Sequence, residues 1–107
     1  MYTIKPLNYN YDYLEPYISE RTVNIHYNKH YKKYLDNLNE LLIKNNYDFR
    51  YSKEELVSHI DIFPLKDRGD ILFNLGGVIN HELYFENMGY NNSPKGVLEK
   101  KNKWTIW

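Results

Sequence analysis

Four histidines are the residues of this chain best suited to chemistry: His26, His30, His59 and His81. His26 and His30 stand four apart, so on a helix they project from one face with Cβ atoms roughly 6 Å apart. Tyr34 is the next member of that row. His81 follows the pair Gly76-Gly77 within a strongly apolar segment. A glycine inside a helix costs roughly 1 kcal/mol against alanine, so that point must want close backbone approach or empty space. One reading is a metal centre between two helices, held by imidazole nitrogens of His26 and His81. The other is a set of buried, hydrogen-bonded histidines in a helical hairpin. Spacing alone leaves both open, because H-x-x-x-H recurs by chance and no H-E-x-x-H zinc pattern is present. His59 belongs to no constellation and reads as structural or exposed.

The elements that must position these side chains are helical. From Ile25 to Asn45, Tyr27, Tyr31, Tyr34, Leu35, Leu38, Leu41 and Leu42 follow helical spacing. Lys32–Asp36 and Glu40–Lys44 are favourable i,i+4 pairs outside that stripe. Ser19 or Thr22 is placed to cap the start, with Glu20 near the positive helix end. Asn45-Asn46 breaks this helix. Ser52-Lys53-Glu54-Glu55 matches a capping box and opens a short helix through about Ile60. After Pro64 a second long helix is expected from Lys66 to Met88, stopped by Gly89. Its apolar residues spread around most of the circumference, so one partner helix cannot cover it. Residues 1–18, with Pro6 and Pro16, read as an extended arm. The fold class is all-α: a long antiparallel hairpin with a short helix between its arms.

Length and composition bound the rest. The chain of 107 residues fits one small domain. Fourteen Lys and Arg balance fourteen Asp and Glu, which argues against nucleic acid as a partner. Cysteine is absent, which excludes thiolate metal sites, thiol nucleophiles and disulfides. No apolar run approaches the roughly 18 residues of a membrane span, and the N-terminus lacks an apolar signal-peptide core. The expectation is a cytoplasmic domain with no membrane contact. Twelve tyrosines supply large rings with polar tips, so a core forms despite the polar average.

Several motifs together resemble the N-terminal helical-hairpin domain of the iron/manganese superoxide dismutases. The opening PLNYNYDYLEPYIS is similar to that family's arm. HYNKHYKKYLDNLN at 26–39 resembles its H-[HY]-x-K-H-H-x-x-Y helix, and GGVINHELYF at 76–85 its G-G-x-x-N-H segment. NSPKGVLE resembles its linker into a second domain. The resemblance covers residues 3–99 in order, so residues 1–99 are expected to form this domain and 100–107 an off-pattern tail. It implies manganese or iron bound by His26 and His81, with His30 and Tyr34 lining the substrate path and taking part in proton delivery. Phe85 matches an aromatic beside the metal, and Tyr31 stands where a histidine is usual. Gly77 matches manganese-type members, where iron types place a glutamine, which leans to manganese. The substrate implied is superoxide. The family's other ligands, an Asp and a His in a D-x-W-E-H-type motif, lie in a C-terminal domain that this sequence does not show. A separate chain supplying that half, or self-association, is therefore expected. The alternative function is a non-catalytic helical interaction module derived from the same hairpin.

Overall fold

The structure, a computed structural model, describes residues 1–90, with side chains through Met88. Among these residues the fold is all-α, as expected, with no strand. In order come α1 (Glu20–Ile25), a π-helical turn (His26–Tyr31), α2 (Lys32–Lys44), α3 (Lys53–Val57), a 3₁₀ turn (Ile60–Ile62) and α4 (Leu65–Tyr90). The first three elements run on without a break. The first long helix therefore begins at Glu20, earlier than the apolar period suggests. Ser19 decides that start: its hydroxyl accepts the Thr22 N–H at 3.1 Å, satisfying a backbone donor that has no helical partner. At the far end Asn46 takes the left-handed conformation, with φ of 55°. The Asn46 and Tyr47 N–H groups then bond the Ile43 and Leu42 carbonyls, each at 3.0 Å, closing the helix as a Schellman motif.

The capping box of α3 is formed in both directions, Glu55 N–H to Ser52 Oγ and Ser52 N–H to Glu55 Oε1, each 3.1 Å. This helix ends at Val57, short of Ile60, because the Ser58 hydroxyl takes the Glu55 carbonyl at 2.9 Å and competes with the backbone. At the other extreme α4 runs through Gly89 to Tyr90, so the glycine does not act as the expected stop. The tail at 100–107, with Trp104 and Trp107, lies outside the described residues.

The two long helices pack as antiparallel arms, with Leu35, Leu38 and Leu42 of α2 buried among Ile71, Leu75 and Val78 of α4. Leu56 of α3 and Phe63 close one end. The N-terminal arm is extended only at its start; from Asn10 to Ile18 it forms successive turns. Asn39, buried on α2, holds its first strand-like residue from both sides. Its Oδ1 accepts the Tyr2 N–H at 3.1 Å and its Nδ2 donates to the Tyr2 carbonyl at 2.8 Å. Tyr2 Oη then donates to the Tyr51 carbonyl at 2.7 Å, and Tyr9 Oη to the Phe85 carbonyl at 3.0 Å. The arm thus covers flanks of both long helices that the hairpin alone leaves bare. Part of α4 stays uncovered, including Leu72, Phe73 and Leu83.

Burial raises the pKa of the Tyr2 and Tyr9 phenols, with Tyr47 adding to the shift at Tyr2 and Tyr84 and Tyr13 at Tyr9. The folded state therefore holds these protons more tightly than the unfolded chain. Their contribution to stability is complete below the unfolded tyrosine pKa and is lost as pH rises through the folded values. Urea midpoints should stay level up to about pH 10 and fall above it. A Tyr2→Phe/Tyr9→Phe variant should fall less steeply over the same alkaline range.

Candidate metal centre

The π-helical turn determines which side chains meet. Its hydrogen bonds span five residues rather than four, so positions five apart come round to one face. His26 and Tyr31 are both buried on the side facing α4. His30, four after His26, is carried to the surface, although its ring still lies 5.9 Å from that of His26. A regular helix would have kept His26, His30 and Tyr34 in a single row. Tyr34 does turn into the space between the helices, with its ring 5.3 Å from His81 and 5.7 Å from Phe73.

His81 is fully buried on α4 and meets His26 across the helix interface, with ring centroids 4.7 Å apart. Its Nδ1 lies 2.6 Å from the Gly77 carbonyl, one turn back. A carbonyl only accepts, so Nδ1 donates this bond and Nε2 is the nitrogen left to face a metal. Such a bond from the far nitrogen orients imidazoles that bind metals. One ion about 2.1 Å from a nitrogen of each ring would keep the two centroids within about 6.5 Å, a limit this pair meets. Tyr84 and Phe85 wall the site, their rings 4.7 Å and 5.1 Å from His26. Burial pushes the Tyr84 phenol up to about 12, so it stays neutral near the pair. The donor set, two imidazoles in an aromatic enclosure, suits a divalent first-row transition ion. Among the described residues no group of three or more His, Asp or Glu stands together as metal ligands. His59 is apart from all this, stacked on Tyr51 at 4.0 Å.

The glycine pair now has its reason, and it belongs to one of the two. A Cβ on Gly77 would stand 2.4 Å from Cδ1 of Tyr34, whereas one on Gly76 would meet nothing within 4 Å. Gly77 lets the Tyr34 ring lie flat on the backbone of α4, beside the carbonyl that orients His81.

Beside His81 lies a network that the motif reading passed over. Glu82 and Lys53 are only 6% and 8% exposed. Lys53 Nζ donates to Glu82 Oε2 at 2.6 Å, and the Tyr31 hydroxyl donates to the same oxygen at 2.6 Å. The Lys5 N–H in turn donates to Tyr31 Oη at 2.9 Å. Burial, and then the bond to Glu82, raise the Tyr31 pKa, partly opposed by the Lys5 amide; the phenol therefore remains a donor. Tyr31 also lies nearly parallel to His81, at 6.2 Å. A sequence signal for this did exist. Glu82 falls at 82 in the buried series 71, 75, 78, 82, 85 of α4, and a carboxylate on a core face must have a partner.

The family model for the iron/manganese superoxide dismutases, alpha-hairpin domain, matches residues 1–89. The chain belongs to this dismutase family. An iron superoxide dismutase of Arabidopsis thaliana chloroplasts is 37% identical over 107 residues, covering 95% of this chain and 39% of its own length. A manganese/iron superoxide dismutase of Methylomonas sp. (strain J) is 36% identical, covering 91% and 48%. A manganese superoxide dismutase of Buchnera aphidicola is 33% identical, covering 95% and 50%. The chain thus spans half or less of the length of these dismutase relatives. The resemblance read from the motifs and the all-α hairpin are both borne out.

Two sets of variants test the packing of this dismutase hairpin. Gly77→Ala should destabilise by about 1–3 kcal/mol through the clash with Tyr34, and cost little in a Tyr34→Ala background. Lys53→Met should cost about 3–5 kcal/mol by leaving Glu82 charged and buried. Adding Glu82→Gln to it should recover a good part of that loss. Both are read from urea midpoints at neutral pH.

Proposed function

We propose that this chain provides the imidazole half of a superoxide dismutase metal site. His26 and His81 bind the ion, His30 and Tyr34 serve the substrate path, and superoxide is the substrate. The observation that supports this reading is the buried His26–His81 pair, with ring centroids 4.7 Å apart and His81 Nδ1 bonded to the Gly77 carbonyl. A manganese or iron ion, when bound, supplies one-electron chemistry, so that one superoxide leaves as O₂ and a second, with two protons, as H₂O₂. The protein's own part is to hold, orient and exclude. His81 presents Nε2 while the Gly77 carbonyl, bonded to Nδ1, keeps its ring from turning. Phe85 and Tyr84 keep bulk water from His26. Tyr34 brings its phenol ring to 5.3 Å from that of His81, and His30 stands at the surface next to His26, placed to exchange protons with solvent.

Manganese is the favoured ion. Gly77 is packed against the Tyr34 ring, and a glutamine, which the resemblance assigns to iron types there, finds no room in this arrangement. Residues 1–89 contribute two imidazoles, so the remaining ligands come from the family's second domain, on the same polypeptide or on a separate one.

The test is metal analysis together with turnover. His26→Ala and His81→Ala should each abolish stoichiometric manganese or iron in the completed protein, with far-UV circular dichroism unchanged. Tyr34→Phe should keep the metal and change the turnover rate. Residues 1–107 alone should show little dismutase activity per metal, because two imidazoles leave most coordination positions to solvent. Retention of full metal content in both histidine variants would refute the assignment.

A further inference from the structure

The fold uses only one oxygen of the buried Glu82 carboxylate for hydrogen bonding. The side chain is 4% exposed, and Lys53 and Tyr31 both donate to Oε2. Among the described residues Oε1 takes no hydrogen bond from the protein. The Lys5 ammonium approaches it only to 3.8 Å, beyond hydrogen-bond reach. A buried carboxylate oxygen calls for a donor. Glu82 lines a cavity of about 310 Å³ together with Lys5, Tyr27, Tyr31, Phe85 and Glu86, and neither His26 nor His81 is among its walls.

We propose that this cavity binds an organic cation bearing a guanidinium group, which places an N–H on Glu82 Oε1 where the Lys5 ammonium now stands off. The walls select the chemistry. Tyr27 and Phe85, with ring centroids 5.4 Å apart and planes at 75°, offer an aromatic face to a planar cation. Glu86, exposed and one turn beyond Glu82 on the same side of α4, adds a second carboxylate. A guanidinium spreads several N–H donors over a flat fork, so it can stack and still reach both carboxylates; a compact ammonium cannot. A bare metal ion is a poor occupant, because no three carboxylates or imidazoles stand together among the described residues. The Lys5 side chain is 58% exposed, so its ammonium gives way to solvent at little cost.

The same group can arrive as a free small molecule or as an arginine side chain of another protein, and the test separates the two. Methylguanidinium added at millimolar concentration to the full chain should shift the amide NMR signals of Lys5, Glu82 and Glu86 saturably. Methylurea, its neutral analogue, should not. Lys53→Met/Glu82→Gln, which removes both charges of the buried pair, should weaken binding about tenfold or more. Glu86→Gln, at an exposed position, should weaken it about two- to threefold. Lys5→Met should strengthen it several-fold, since the competing ammonium is gone while the backbone N–H on Tyr31 stays. Tighter binding of N-acetylarginine methylamide than of methylguanidinium assigns the group to a protein's arginine, and the reverse assigns it to a free molecule. The absence of saturable shifts at these residues overturns the proposal. So does equal binding of methylurea, or undiminished binding by the folded double variant. Unchanged or weaker binding by Lys5→Met overturns the displacement of Lys5.

Discussion

A single buried carboxylate organises this domain. Glu82 lies on the core face of α4, where an unpaired charge is not tolerated. It is compensated by Lys53, from the start of α3, and by Tyr31, from the π-helical turn, both at 2.6 Å. Lys5 joins through its amide on Tyr31, and its ammonium lies 3.8 Å from Glu82 Oε1. The arm, the first helix, the short helix and α4 are therefore all tied to one point. That point adjoins His81 in sequence. Apolar packing would hold the two long helices together in several rotations, but these directional bonds select one. In this rotation His81 faces His26.

The site itself follows from two backbone departures. The π-helical turn advances the chain by an extra residue per turn, which brings His26 and Tyr31 to the same side and sends His30 outward. Gly77 removes a Cβ where Tyr34 crosses α4. Each departure carries a cost in regular helix, and each is placed where a ring must come close to another ring. The histidines are held by that packing, without any disulfide and without a third ligand among the described residues. Aromatic side chains perform several tasks at once: Tyr31 donates a hydrogen bond and stacks along His81, while Tyr84 and Phe85 enclose His26.

Helix α4 has two unlike sides. Its core face carries 71, 75, 78, 82 and 85, and its outer face includes the exposed Leu65, Leu72 and Leu83. The arm covers part of the remaining circumference through Tyr2 and Tyr9. This division explains why α4 is apolar almost all round and yet has no single amphipathic stripe.

Much was legible in the sequence because it depends on local chemistry. The helix spacing of Tyr27 to Leu42, the Ser52–Glu55 capping box and the motif order of the dismutase hairpin each involve residues a few positions apart. The exact start of the first helix was less legible, since Ser19 and Thr22 both have a capping hydroxyl. The burial of Tyr31 follows from its place in the apolar stripe, but only the tertiary structure decided that His30 leaves the row of His26 and Tyr34 for the surface, because a π-helical turn leaves no period in the residue types. Only it distinguished Gly77, pressed by Tyr34, from Gly76, which faces open space; a sequence shows two identical glycines. The pairing of Lys53 with Glu82 spans 29 positions. The sequence could show that Glu82 needed a partner, but not which cation would reach it, because that choice is made by how the helices pack.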